Sequence, residues 1–159
     1  RDRSVSRGLG DVYKRQNLFV HAGLSARLLE RDLEMDTLNA RMSEGLYRTS
    51  KERREDPTLE FLYRSAGPVW YRGMVCADEK YDPLTPEQTD ALLRRYDADR
   101  LLVGHTIFPD ISTFHDGRVI AVNVQNELNR RKNRGRAVLI EGSRISVVGN
   151  RGVKRVLEE

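Results

Sequence analysis

The chain has 159 residues, 33% charged and 38% hydrophobic, with 28 lysines and arginines against 24 acidic residues and a formal net charge of +4. That length is enough for one domain with a real core, and no apolar run approaches the roughly 20 residues of a membrane-spanning helix. Cys76 is the only cysteine, which excludes an intrachain disulfide and a Cys-rich zinc site.

The first sixteen residues stand apart from the rest. Ser6 to Gln16 reads Ser-Arg-Gly-Leu-Gly-Asp-Val-Tyr-Lys-Arg-Gln, which resembles a translated transposon-end sequencing adaptor. Residues 1–16 are therefore expected to be foreign, with the native sequence starting at Asn17. Leaving them out removes Arg1, Arg3, Arg7, Lys14 and Arg15 together with Asp2 and Asp11, so 23 basic and 22 acidic residues remain and the net charge falls to +1. With the basicity gone, neither nucleic acid nor a membrane is expected as a partner.

Asn17 to Val20 is a short apolar run of strand character that ends on His21 and turns at Ala22-Gly23. Leu28, Leu29, Leu33, Met35, Leu38, Met42 and Leu46 recur near helical spacing and predict one helix or two over residues 25–48. Residues 51–57 read as a charged loop stopped by Pro57, with a weak helix over 59–63. Residues 66–73, Ala-Gly-Pro-Val-Trp-Tyr-Arg-Gly, form a breaker-rich aromatic loop holding the only tryptophan, Trp70. Thr85-Pro86-Glu87-Gln88 is the clearest local signal: Thr85 caps, Pro86 takes the first helical position and Gln88 reaches back. That helix should run to about Tyr96 and bury Leu92, Leu93 and Tyr96.

Arg100 to Val103 is a buried strand that leads through Gly104 into His105. Strand-like segments follow at 111–114, 119–124, 137–140 and 145–148, with Gly-bearing turns at 115–118 and 141–144. The basic run 129–136 has no interleaved aromatics and reads as a solvated loop. Residues 149–159 read as a polar tail that frays. The order defines an α/β chain with a mixed sheet.

Two of the three histidines, His21 and His105, directly follow predicted buried strands. Strand carboxyl ends are where open α/β sheets place ligands, and small neighbours let backbone and ions approach closely. Neutral imidazole is a common metal ligand, so both histidines are candidates for one, although core or turn histidines would look the same on position alone. From its neighbours alone Arg72 reads as a surface arginine stacked on Trp70 or Tyr71. His115 reads as a solvated turn residue, Cys76 as inert, and Asp82 and Asp110 as loop carboxylates without an identifiable partner.

Leu-Phe-Val-His21-Ala-Gly-Leu-Ser25 and Leu-Val-Gly-His105-Thr106 resemble the last two metal motifs of calcineurin-like metallophosphoesterases, in their phosphoprotein phosphatase branch. Gly67-Pro-Val-Trp-Tyr-Arg-Gly73 between them is similar to a loop of the bacterial Shewanella-like protein phosphatases. The resemblance covers residues 17–124. It implies the C-terminal half of an α/β/β/α sandwich with mixed sheets, spanning 17–148. It also implies two divalent metal ions (Mn, Fe or Zn) in the full-length protein, with His21 and His105 on the second, the site incomplete in this chain, a hydroxide that attacks phosphorus in line, and Arg72 as the candidate phosphate-binding residue, its guanidinium fork matching the phosphoryl oxygens. The implied activity is a serine/threonine-type protein phosphatase or phosphomonoesterase, acting on a phosphorylated protein or small phosphoester. A dinucleoside polyphosphate hydrolase and a non-catalytic interaction domain are the alternatives.

The family's other motifs, Gly-Asp-x-His-Gly, Gly-Asp-x-x-Asp-Arg-Gly and Gly-Asn-His-Glu, should precede His21 and are not in the sequence. The chain alone is thus expected to be inactive, and strands left at its cut edge to expose apolar surface. Val122-Asn123-Val124 departs from the family in lacking an acidic residue after Gly-His-Thr. Oligomeric state stays open, and so does location, with the cytoplasm favoured.

Overall fold

The computed structural model describes residues 17–31 and 33–158. The adaptor-like stretch 1–16 lies outside the described residues.

Two sheets make up the strand framework. β1 (Asn17–Val20), β2 (Arg100–Val103), β3 (Ser112–Phe114) and β4 (Val119–Ala121) form a four-stranded sheet in the order β1-β2-β4-β3. The pairs β1/β2 and β2/β4 are parallel and β3/β4 is antiparallel, so the sheet is mixed, as the element order predicts. β5 (Ala137–Glu141), β6 (Arg144–Gly149) and β7 (Gly152–Glu158) form an antiparallel meander.

Strand alternation assigns the two faces of the mixed sheet. Leu101 and Val103 of β2, with Val119 and Ala121 of β4, join a core shared with the helices. Leu102 and Ile120 point the other way, into a second core with Ile145 and Val147 of β6. β2 is therefore covered on both faces and all four of its residues are buried, which is why it reads as the unbroken run Leu-Leu-Val. The result is three layers: helices, mixed sheet, meander.

The helical layer comprises α1 (Met35–Leu46), α3 (Pro57–Tyr63) and α4 (Pro86–Arg95), which bury Leu38, Phe61, Leu62, Leu92 and Leu93 against the mixed sheet. α4 has the predicted start: Gln88 N–H donates to Thr85 Oγ1 at 3.2 Å, and Thr85 N–H donates to Gln88 Oε1 at 2.9 Å. Residues 25–48 give one full helix, α1, after a single 3-10 turn at Ala26–Leu28.

Three segments differ from the sequence reading. α2 (Ser50–Glu55) occupies the expected charged loop, because Thr49 and Glu52 close a capping box (Thr49 N–H to Glu52 Oε2, 2.7 Å). With no apolar periodicity in Ser-Lys-Glu-Arg-Arg-Glu, only the cap announces that helix. α5 (Asn126–Arg131) takes the first part of the basic run, and its Asn129 is buried. The tail expected to fray is β7, paired to β6 along its length.

Asn150, in the turn between those strands, accepts from Gly135 N–H at 2.7 Å, and Arg155 donates to the Ile111 carbonyl. Asp110 has a partner after all, Arg136, at 2.8 Å. Burial opposes its ionisation, but hydrogen bonds from Arg136 and from Ile111 N–H outweigh that and hold the carboxyl below its ordinary range. The contacts of Arg155 and Arg136 fasten the meander to the loop after β2. Among the described residues no helix is long and apolar enough to cross a membrane.

Candidate active site

β1 and β2 are adjacent and parallel, with Val20 opposite Val103. The residues that follow both strands must then emerge at one end of the sheet. Gly104 N–H donates to the His21 carbonyl at 2.9 Å, extending the pairing by one residue past each strand. A Cβ on Gly104 would lie 3.2 Å from that same carbonyl, so the close approach favours glycine. His105 has a φ of 58°, in the left-handed region that non-glycine residues seldom occupy.

That turn brings His105 Nδ1 to 3.1 Å from His21 Nε2, with ring centroids 5.0 Å apart. Trp70 meets the His105 ring edge-on at 5.3 Å, the planes 87° apart. His105 Nε2 is buried and has no hydrogen-bond partner among the described residues, and Thr106 Oγ1 is in the same state. Buried polar atoms are nearly always paired, which makes this ring nitrogen a candidate contact for a ligand or a water molecule. Burial lowers the pKa of His105 below the ordinary 6.5, with the positive charge of Arg72 and then His21 adding to the effect. Its imidazole is neutral at neutral pH.

Arg72 arrives on the loop 64–76, a succession of tight turns. Trp70 and Tyr71 N–H both donate to the Gly67 carbonyl, at 3.1 and 3.0 Å, and Cys76 N–H donates to the Arg72 carbonyl at 2.9 Å. The loop is tied to the turn after β1 by Ala22 N–H donating to the Pro68 carbonyl at 2.9 Å and the Ser25 hydroxyl donating to the Ala66 carbonyl at 2.7 Å. Gly23 permits this docking, since a Cβ there would sit 3.1 Å from the Tyr71 carbonyl and 3.3 Å from Met74 Sδ. Tyr71 is buried, its hydroxyl donates to the Asp82 carbonyl, and burial raises its pKa.

A cavity of about 440 Å³ opens beside Arg72, with Trp70, Lys80 and Tyr81 among its walls. The Arg72 guanidinium lies 5.9 Å from the centroid of the Tyr81 ring.

His115 is not a solvated turn residue. It is half-buried, with Nε2 donating to the Met74 carbonyl at 3.1 Å and Nδ1 3.2 Å from Thr89 Oγ1. It thereby pins the far end of the Arg72 loop to α4. Nothing local announces that role, because both partners are distant in sequence. Asn123 is half-buried after β4, where its carbonyl accepts from Phe108 N–H at 2.9 Å.

Two ring nitrogens 3.1 Å apart have the spacing of neighbouring ligands on one ion with bonds of about 2.1 Å. Among the described residues, however, no group of three or more His, Cys, Asp or Glu side chains is arranged to hold a metal ion. The residues assembled here do not fit the two-ion centre that the resemblance implies for the full-length protein.

No family model matches the chain, and no curated protein matches it. Solved structures do. The cold-active protein-tyrosine phosphatase of a psychrophilic Shewanella species matches with a TM-score of 0.77 at 26% identity, over 89% of this chain and 40% of that one. A 1.1 Å structure of a cold-active protein tyrosine phosphatase gives a TM-score of 0.76 at 26% identity, over 88% and 39%. A point mutant of a cold-active protein tyrosine phosphatase gives 0.76 at 26%, over 89% and 40%. The chain spans about two fifths of the length of the phosphatases it matches.

These likenesses bear out a similarity to phosphatases and an α/β fold, and they correct the rest of the motif-based assignment. The neighbours carry the name protein tyrosine phosphatase. The calcineurin-like metallophosphoesterase assignment, its serine/threonine-type activity, the dinuclear centre with Mn, Fe or Zn, and the dinucleoside polyphosphate alternative are therefore withdrawn. The physical reason lies in what such short motifs encode. His-Ala-Gly and Gly-His-Thr specify a strand end, a tight turn and a presented imidazole, but not the other groups that complete a site.

Proposed function

We propose that this chain contributes the phosphoryl-binding part of a protein phosphatase that acts on phosphotyrosine. The observation that carries the proposal is the meeting of His21 and His105 at one sheet end, with His105 Nε2 buried and unpaired among the described residues and the Arg72 charge acting on that ring. The likeness to protein tyrosine phosphatases supplies the substrate class.

Each side chain has a distinct task in this reading. Arg72 offers a permanently charged fork to the phosphoryl oxygens, a charge-assisted contact stronger than a neutral hydrogen bond. His105, kept neutral by burial and by the Arg72 charge, turns Nε2 toward the phosphoryl group or its attacking water. His21 holds the opposite ring nitrogen of His105 and orients the ring. Trp70 closes one side against solvent.

The test is hydrolysis of a phosphotyrosyl peptide by the full-length protein. His105→Ala and Arg72→Gln should each lower kcat/KM by about 10²- to 10⁴-fold, the range for loss of a positioned acid–base or charge-stabilising group. Retention of wild-type turnover by both variants, with the fold intact by circular dichroism, would remove these residues from the site.

A further inference from the structure

We infer that the cavity beside Arg72 is a subsite for an acidic side chain of the substrate peptide, next to the phosphorylated residue. The inference takes its substrate from the phosphatase reading above; its geometry stands independently.

The cavity and the histidine pair share two walls. Trp70 lies edge-on against His105 and lines the cavity, and Arg72 lines it while its charge acts on His105. A chain leaving the histidine pair along Trp70 therefore enters the cavity directly. Beyond those walls stand Arg27, Arg64 and Lys80, with the rings of Tyr63 and Tyr81 between them. The three cations come from separate places: Arg27 from the 3-10 turn after β1, Arg64 from the end of α3, and Lys80 from the turn at Glu79–Tyr81. Their convergence is made by the tertiary fold and is not the solvated face of one helix.

Charge bookkeeping narrows the ligand. Lys80 is paired with Asp78 at 2.8 Å and Arg64 with Glu60 at 3.1 Å, while Asp82 is the one acidic residue in the wall. Arg27 makes no ion pair among the described residues. Lys80 Nζ and the Arg72 guanidinium both approach the Tyr81 ring, at 4.8 and 5.9 Å from its centroid. With Arg72 assigned to the phosphoryl group, Arg27 is the one remaining cation of the wall without an ion pair among the described residues, and with half-neutralised neighbours and aromatic faces it suits a single carboxylate on an extended peptide. A second phosphate dianion would require more uncompensated charge.

Two measurements test the subsite. In the full-length protein, the double substitution Arg27→Glu and Arg64→Glu should raise KM for a phosphotyrosyl peptide flanked by glutamates roughly fivefold or more at low salt. Hydrolysis of a small aryl phosphate should stay within about twofold of wild type, since that substrate does not reach the cavity. An unchanged KM for the acidic peptide, or an equal loss on the aryl phosphate, overturns the subsite.

If neither substrate is turned over by the wild type, the phosphatase reading has failed, and binding decides the subsite alone. Trp70 is the only tryptophan of this chain and is half-exposed at the cavity wall, so its fluorescence reports occupancy. A non-phosphorylated Glu-Glu-Tyr-Glu peptide should change that emission, and a Lys-Lys-Tyr-Lys peptide should not. The milder pair Arg27→Gln and Arg64→Gln should weaken the response in the same direction; equal responses to both peptides overturn the inference.

Discussion

The mixed sheet uses strands of 3–4 residues and the meander strands of 5–7, and their contacts are of opposite kinds. In the mixed sheet Leu18 pairs with Leu101 and Val20 with Val103, and the His21–His105 contact spans 84 positions. In the meander Ile140 pairs with Ile145 across a single tight turn. Every residue assigned to the site lies on or beside the mixed sheet, and none lies in the meander. Local hairpins make a backing layer with little loop-closure cost, whereas parallel pairing joins strand ends from distant parts of the chain. Bringing distant side chains together at those ends is what a site needs.

The largest test of this division is Leu102→Ala. Leu102 sits between the two sheets and is 4% exposed, so the truncation should cost about 2–5 kcal/mol in denaturant unfolding. Leu139→Ala in the meander, where the side chain is 37% exposed, should cost no more than about 0.5 kcal/mol. Equal losses would show that the meander is not a peripheral layer.

A smaller effect, near 1 kcal/mol, is expected for Thr85→Ala, which removes the cap of α4. Because α4 carries Thr89, and Thr89 meets His115 beneath the Arg72 loop, amide exchange should quicken at residues 72–76. Exchange across β5 and β6 should stay as it was. Uniform acceleration in both places would erase the distinction between the regions.

The smallest effect is a titration. Arg72→Gln removes a positive neighbour and should raise the pKa of His105 while leaving it depressed, because burial is the larger cause. NMR of the ring protons measures this directly. The sign for stability follows: unfolded His105 takes up a proton near pH 6.5 while the folded form resists it, so stability falls as pH drops below that value. Arg72→Gln should lessen this acid loss, and an unmoved titration would separate Arg72 from the histidine pair.

Much of the framework was legible before any coordinates. Thr85-Pro86 announced α4, the run Leu101-Leu102-Val103 announced a buried strand, and the strand–His–turn pattern placed His21 and His105 each just after a strand. Other features were silent for physical reasons. α2 is all polar and is marked only by its cap, and β7 is too polar to stand out until Arg155 and the β6 ladder hold it. His115 looked like any turn residue, since its partners Met74 and Thr89 lie 41 and 26 positions away. The two-ion centre that the resemblance implied for the full-length protein is overturned by the likeness to protein tyrosine phosphatases; two short motifs carry two imidazoles and no information about a third ligand.

By itself the sequence determined the α/β class, the capped helix α4 and the identity of the two strand-end histidines, since periodicity, caps and turns are encoded within a few residues. Only the tertiary structure decided that Trp70, on the loop that carries Arg72, stands against His105, that His115 braces that loop, and that Arg27, Arg64 and Lys80 converge on one cavity. Those arrangements depend on which faces are buried together, and burial couples residues without regard to their distance along the chain.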